Sequence, residues 1–212
     1  TLPVVSLTAT RKITAFLQSL LGQTGIEDAW RGYFCISTDL TLGQEKVHKE
    51  GLMWQALRAS MAFPTVFAPI LDENGNLLID GGALNNLPID LMRQAVGSSG
   101  RVIGVDVCPP APPARKFNFG PSVSGWNVLW RRVNPLAKSL VVPTMFDVVA
   151  GIVDTNSRHH LARVQQQCDL LIQPPVDQFG LLEFGSHAQI IEVGYQYTRQ
   201  ALSQYSNPPP LA

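Results

Sequence analysis

The sequence predicts an α/β fold on a mostly parallel sheet, and three observations carry that expectation. Residues 77–79 and 102–107 are apolar runs of strand length. Between them, residues 88–97 place Leu91, Met92 and Ala95 at helical spacing. Strand, helix, strand in that order suggests a βαβ unit, whose crossover makes its two strands parallel. The 212 residues are 45% hydrophobic and 15% charged, which suits a packed domain rather than a disordered chain.

The elements follow in chain order. Residues 2–7 are a short apolar stretch of no definite type. Ile13, Phe16, Leu17, Leu20 and Leu21 recur at helical spacing, and Gly22 suits the C-cap. Residues 33–37 read as a buried strand running into the polar turn Thr38-Asp39. Val47-His48-Lys49 reads as a hairpin arm. Leu52, Met53, Ala56, Leu57 and Met61 share one helical face, and Pro64 limits that helix.

Asp72-Glu73-Asn74-Gly75-Asn76 is a turn cluster with an Asn-Gly pair. Asp72, Asn74 and Asn76 also match the opening ligands of a calcium loop. That loop needs Gly and Glu where this chain has Leu77 and Ala83, so the hairpin turn is the better reading. After Cys108 the texture changes. Residues 109–113 are proline-rich and extended, and residues 116–124 are loop. Residues 125–133 carry Trp126, Leu129 and Trp130 beside Arg131 and Arg132. A helix over residues 143–167, the strand Leu170-Leu171-Ile172 and a last helix over residues 187–205 complete the order. No internal repeat or domain boundary is visible.

Composition narrows the function classes. Sixteen basic side chains balance sixteen acidic ones, so no global field points to nucleic acid. Cys35, Cys108 and Cys168 lie far apart, which suggests neither a zinc site nor a disulfide framework. Reduced thiols favour a cytoplasmic setting. No signal peptide opens the chain, and Thr1 is not a natural start, so the chain is expected to be processed, truncated or partial. The best membrane candidate, residues 141–153, is broken by Pro143 and Asp147, so any membrane contact is expected to be peripheral.

Asp80 is the residue with the most chemical promise. It stands where the strand at 77–79 gives way to Gly81-Gly82, and ligands of parallel α/β sheets gather at the carboxyl ends of strands. Glycines there let the chain turn sharply and let another group approach closely. Asp-Gly-Gly is also a common turn in which the carboxylate bonds its own backbone. On spacing alone both readings stand.

The wider context separates them. Ile79-Asp80-Gly81-Gly82-Ala83-Leu84-Asn85-Asn86-Leu87-Pro88 resembles the Asp-Gly-Gly/Ala segment of patatin-like phospholipases. Phe34-Cys35-Ile36-Ser37-Thr38-Asp39-Leu40-Thr41 is similar to that family's strand ending in Thr-Asp. Trp54-Gln55-Ala56-Leu57-Arg58-Ala59-Ser60, followed by Pro64, resembles its helix and loop before the Asp motif. The run from Ser124-Gly125-Trp126 to Asn134-Pro135, and Pro174-Pro175-Val176-Asp177-Gln178-Phe179-Gly180 with Glu192-Val193-Gly194-Tyr195-Gln196-Tyr197, resemble the neuropathy target esterase branch.

The resemblance implies a patatin-like α/β/α sandwich with a mostly parallel central sheet. Residues 1–212 would be the C-terminal portion of its single catalytic domain. It implies hydrolysis of phospholipid or lysophospholipid acyl esters by a Ser-Asp dyad, with Asp80 as the catalytic carboxylate and Gly81, Gly82 and Asn85 in the active-site turn. No cofactor and no metal are implied. The family's nucleophile lies in Gly-x-Ser-x-Gly, after a glycine-rich oxyanion segment. Neither occurs in this sequence, so both are expected upstream of Thr1, and that segment is the expected partner. Asp80 should be shielded from water, because burial raises a carboxylate toward a useful basicity.

The remaining candidates carry competing roles. His48, His159, His160 and His187 have no carboxylate at a telling spacing, so surface or capping roles are expected. Asn85 and Asn86 either cap the following helix or orient the Asp turn. Thr38 and Asp39 either border the crevice or bond a turn. Arg58 either pairs with a carboxylate or lipid phosphate or is solvated on its helix. Trp126, Leu129, Trp130 and Val133 share a helical face near Arg131, Arg132 and Lys138, which suits a membrane surface or packing on the core. Three functions remain: the hydrolase, a non-catalytic binding or assembly module of the same fold, and an acyltransferase using the same dyad.

Overall fold

A computed structural model describes residues 10–108, 117, 119, 122, 124–126, 130, 142–180 and 183–205. Helix α1 spans Thr10–Leu21, followed by Gly22 at φ +54°, a left-handed C-terminal residue that favours glycine. Strands β1 (Cys35–Asp39) and β2 (Gln44–His48) form an antiparallel hairpin with Cys35 opposite His48. The Asp39 carboxylate closes its turn by accepting the amides of Thr41 (2.9 Å) and Leu42 (3.0 Å). Helix α2 (Met53–Ser60) follows.

Strands β3 (Ile70–Leu71) and β4 (Leu77–Asp80) make a second hairpin. Asp72 ties its turn, accepting the amides of Asn74 and Asn76 and pairing with Lys46 Nζ of β2 at 2.6 Å. The Lys46 hydrogen bond leads the causes that hold the Asp72 pKa down at about 2. Strand β4 lies antiparallel against the other side of β1, with Ser37 opposite Asp80, so the sheet order is β2-β1-β4-β3.

Beyond β4 come helix α3 (Ile89–Val96), strand β5 (Ile103–Val105), helix α4 (Met145–Val164), strand β6 (Leu170–Ile172) and helix α5 (His187–Tyr205). Helix α4 starts at a capping box in which Thr144 and Asp147 satisfy each other's backbone amides. Ile89, Val102 and Val164 form the core beneath α3, with Leu87, Val96, Leu161 and Cys168 packed on it.

The α/β class and the element order agree with the sequence. One pairing does not. The strands at 77–79 and 102–107 are not parallel neighbours. Both edges of β4 are taken by β1 and β3, and β5 pairs instead with β6, in parallel, Ile103 against Leu170. The 20-residue helix α4 lies between β5 and β6 and supplies the length a parallel crossover needs. Residues 109–116, like Arg131 and Arg132, lie outside the described residues.

Candidate active site

The site is built where β4 stops. Asp80 is the last residue of the strand and the N-cap of a 3₁₀ turn, Gly81–Ala83. Its own amide donates to the Ala62 carbonyl (3.1 Å), and its Oδ1 accepts the Gly82 amide (2.7 Å). Among the described residues the other carboxylate oxygen, Oδ2, takes no hydrogen bond. The side chain is half-buried. Burial lifts its pKa above the ordinary aspartate value, and the Gly82 amide opposes that only in part.

Both glycines are needed for close approach, not for unusual φ. A Cβ on Gly81 would stand 2.6 Å from the Ile36 carbonyl oxygen, and one on Gly82 would stand 2.7 Å from Asn86 Oδ1 and 3.0 Å from Asp80 Oδ1. The turn therefore lies directly on strand β1. Asn85, 3% exposed, does not cap α3, whose N-cap is Pro88. Its Nδ2 donates to Glu45 Oε2 and Asp90 Oδ1, both at 3.1 Å, and so ties the turn to β2 and α3. Asn86 donates instead to Cys108 Sγ (3.0 Å).

Several side chains stand elsewhere than their sequence context suggests. Arg58 is not solvated on its helix. It is 1% exposed, donates Nη2 to the Ala68 carbonyl (2.7 Å) and lies over the Phe67 ring. Burial lowers its pKa, and its Nε and Nη1 have no hydrogen-bond partner among the described residues. Thr38 and Asp39 are buried in β1, with Asp39 occupied by its turn. His48 is neither a surface nor a capping residue. It is half-buried, with Nε2 2.8 Å from Ser37 Oγ. Burial, aided by Lys46, holds its pKa below the usual histidine value. The hairpin register makes this pair, which no sequence motif marks.

That pair has the look of a nucleophile and base, but Ser37 is 0% exposed within a central strand, where no ester carbonyl can reach it. His160 lies 3.9 Å from Asp90, too far for a hydrogen bond, while His159 and His187 are exposed. Sequence reasoning also missed Asn156 and Ser157 of α4, which bond the carbonyls of the Asp80 turn.

A cavity of about 420 Å³ opens beside the turn, lined in part by Asn86, Asp106, Cys108, Ser157, Arg158 and Gln173. Asp80 is not among its lining residues. The three cysteines are free and half-buried. Trp126 and Trp130 are exposed, at 82% and 61%. Among the described residues no helix is long and apolar enough to cross a membrane.

Comparison with known proteins gives this geometry its context. The family model for patatin-like phospholipases matches residues 6–93, a span that includes β1, α2, β4 and the whole Asp80 turn. The chain is 34% identical over 209 residues to human patatin-like phospholipase domain-containing protein 6, covering 97% of the chain and 15% of that protein. It is 32% identical to neuropathy target esterase sws of Drosophila melanogaster, covering 93% of the chain and 14% of the relative. It is 32% identical to lysophospholipase NTE1 of Kluyveromyces lactis, covering 100% of the chain and 15% of the relative. The chain thus spans about 15% of the length of these relatives. With the strand, helix and Asp-Gly-Gly turn in one order and 93–100% of this chain matched by these relatives, the chain belongs to the patatin-like phospholipase family, on its neuropathy target esterase branch.

Proposed function

We propose that this chain is the C-terminal part of a catalytic domain that hydrolyses acyl esters of phospholipids or lysophospholipids through a Ser-Asp dyad. Asp80 is the carboxylate, and a segment outside the 212 residues carries the serine in Gly-x-Ser-x-Gly. The observation that carries this reading is the state of the Asp80 carboxylate. One oxygen is pinned by the Gly82 amide, the other accepts no hydrogen bond among the described residues, and burial raises the pKa. A free carboxylate oxygen of raised basicity suits a base that takes a serine proton as the hydroxyl attacks an acyl carbonyl. The same group returns the proton to the leaving alcohol and then activates water to release the fatty acid.

Uncovered apolar faces support a missing companion segment. Helices α1 and α5 have no buried residue, and Phe16 and Leu20 of α1 are 55% and 64% exposed. Strand β5 exposes Ile103 and Val105, and among the described residues its far edge is unpaired. Parallel sheets are covered on both faces, and a two-stranded sheet is marginal by itself. The exposed rings of Trp126 and Trp130, followed in the sequence by Arg131 and Arg132, are the part we assign to a lipid surface. Cosedimentation with anionic vesicles should weaken when both rings are changed to Ala, and unchanged binding removes that role.

The test of the whole reading is a polypeptide extended through the upstream segment. A fluorophosphonate probe should label one serine in Gly-x-Ser-x-Gly, and lysophospholipid should release free fatty acid. If no serine is labelled and no fatty acid appears, the binding-module reading takes its place. Transfer of the acyl group to an added alcohol at the expense of fatty acid marks an acyltransferase.

The dyad also predicts that no histidine is required. His48→Gln should cost about 1 kcal/mol of stability through its lost bond to Ser37, as expected for a net intramolecular hydrogen bond. Turnover per folded molecule should stay within a few-fold. A collapse of kcat with the melting curve intact would replace the dyad with a histidine-dependent mechanism.

A further inference from the structure

We propose that Asn156 and Ser157 of helix α4 are positioning residues that hold the Asp80 turn in the shape from which its carboxylate works. The inference rests on the Ser-Asp reading above and adds to it the part that orients the base. A three-residue 3₁₀ turn cannot satisfy its own trailing carbonyls. Here each one has a partner. The Gly81 carbonyl accepts the amides of Leu84 (3.1 Å) and Asn85 (2.9 Å). Ser157 Oγ contacts the Gly82 carbonyl at 3.3 Å, sharing its one proton with Val153 of its own helix at 2.8 Å. Asn156 Nδ2 donates to the carbonyls of Ala83 (2.7 Å) and Leu84 (3.2 Å), one hydrogen to each.

Asn156 is therefore the principal clamp and Ser157 the weaker one. Ser157 is 7% exposed, so water does not replace it freely. The consequence reaches Asp80 through a single peptide. With the carbonyls of Gly82, Ala83 and Leu84 held by α4, the Gly82 amide stays aimed at Asp80 Oδ1. That amide is the only donor to the carboxylate among the described residues. Releasing the clamp lets the turn fray, withdraws the amide and frees the carboxylate to rotate. The titratable and charged groups on the elements packed about the turn are Cys35 and Asp39 of β1, Arg58 of α2, and Asp147, Asp154, Arg158, His159, His160 and Arg163 of α4. Asp154 and Arg158 pair with each other, and none of the nine contributes to the shift on Asp80.

The test uses the catalytically complete polypeptide. Asn156→Leu keeps the shape and removes both donors. Its kcat should fall about 10–100-fold, the scale of a misplaced catalytic group, with KM within two-fold. The acid limb of kcat/KM should move to higher pH, because Asp80 loses the one bond that favours its charge. Ser157→Ala, a mild change inside a helix, should move the limb the same way by less, and it serves if Asn156→Leu does not fold. A role confined to folding would lower Tm and leave the limb of the folded fraction in place, and that result in both variants overturns the proposal. Asp80→Asn separates the two levels. If it is inactive while the clamp variants leave the limb unmoved, this inference alone falls; if it still turns over, the dyad falls and takes the clamp with it.

Discussion

Changing Asp80 to Asn in the polypeptide that includes the nucleophile segment should lower kcat by about 10³-fold or more while leaving the protein folded. General base catalysis is worth roughly 10²–10⁴ in rate, and in the proposed dyad the base serves both halves of the reaction. The geometry makes Asn a clean probe. Its amide oxygen can accept the Gly82 amide as Asp80 Oδ1 does, so the turn keeps its bond. The NH₂ then replaces the oxygen that has no partner, and an NH₂ cannot take a proton from serine. Turnover within a few-fold of the parent would remove Asp80 from the chemistry.

The same substitution has a stability signature of opposite sense. Burial raises the Asp80 pKa in the fold above its unfolded value. Between those two pKa values the native state binds more protons than the unfolded one, so stability falls as pH rises through that window. At neutral pH the parent therefore keeps a charge in the fold at a cost that Asn does not carry. Asp80→Asn should have an equal or higher Tm than the parent at pH 7.5, and the difference should shrink as pH falls through the folded pKa and vanish below the unfolded one. For the parent, activity should fail on the acid side at a higher pH than an ordinary aspartate would allow. A lower Tm for the Asn variant at neutral pH would mean that the carboxylate has a stabilising partner in the complete protein.

How much of this was readable beforehand depends on the range of each signal. Helix α5 and the β4–turn–α3 sequence were marked by local periodicity and by glycines, which act over a few residues. The place of Asp80 at the end of β4 was legible because a strand and a glycine turn meet at that position. The partner of β5 was not legible. Nothing within residues 102–107 says that β4 is already bonded on both edges, and register information resides in the neighbouring strands. The bond between Ser37 and His48 depends on the hairpin register, and the clamp by Asn156 depends on α4 returning from far along the chain to the turn. Arg58 was misjudged for a related reason. Its helix pattern is amphipathic, but the chain at Phe67 and Ala68 folds back over the guanidinium.

The two glycines after Asp80 should respond unequally to the same methyl group. In Gly81→Ala the new Cβ meets the Ile36 carbonyl oxygen at 2.6 Å and Ile36 Cγ1 at 2.7 Å. The oxygen belongs to β1, which is hydrogen-bonded to β2 on one side and β4 on the other, so it cannot retreat without disturbing both ladders. Overpacking of this kind costs about 1–3 kcal/mol, and a backbone obstacle puts Gly81→Ala at the upper end. A loss of that size lowers Tm by roughly 5–10 °C in a domain of this length. In Gly82→Ala the nearest atom is Asn86 Oδ1 at 2.7 Å, the free end of an exposed side chain that can swing aside by giving up Cys108. Its stability cost should stay below about 1 kcal/mol, within the range of a minor rearrangement. Gly82→Ala should still slow turnover, because its Cβ lies 3.0 Å from Asp80 Oδ1 and presses on the pinned side of the carboxylate. Thermal melts and initial rates on the two variants decide the matter. Equal Tm losses, or a Gly81→Ala variant as stable as the parent, would mean that the Asp80 turn does not lie against β1 as closely as these contacts require.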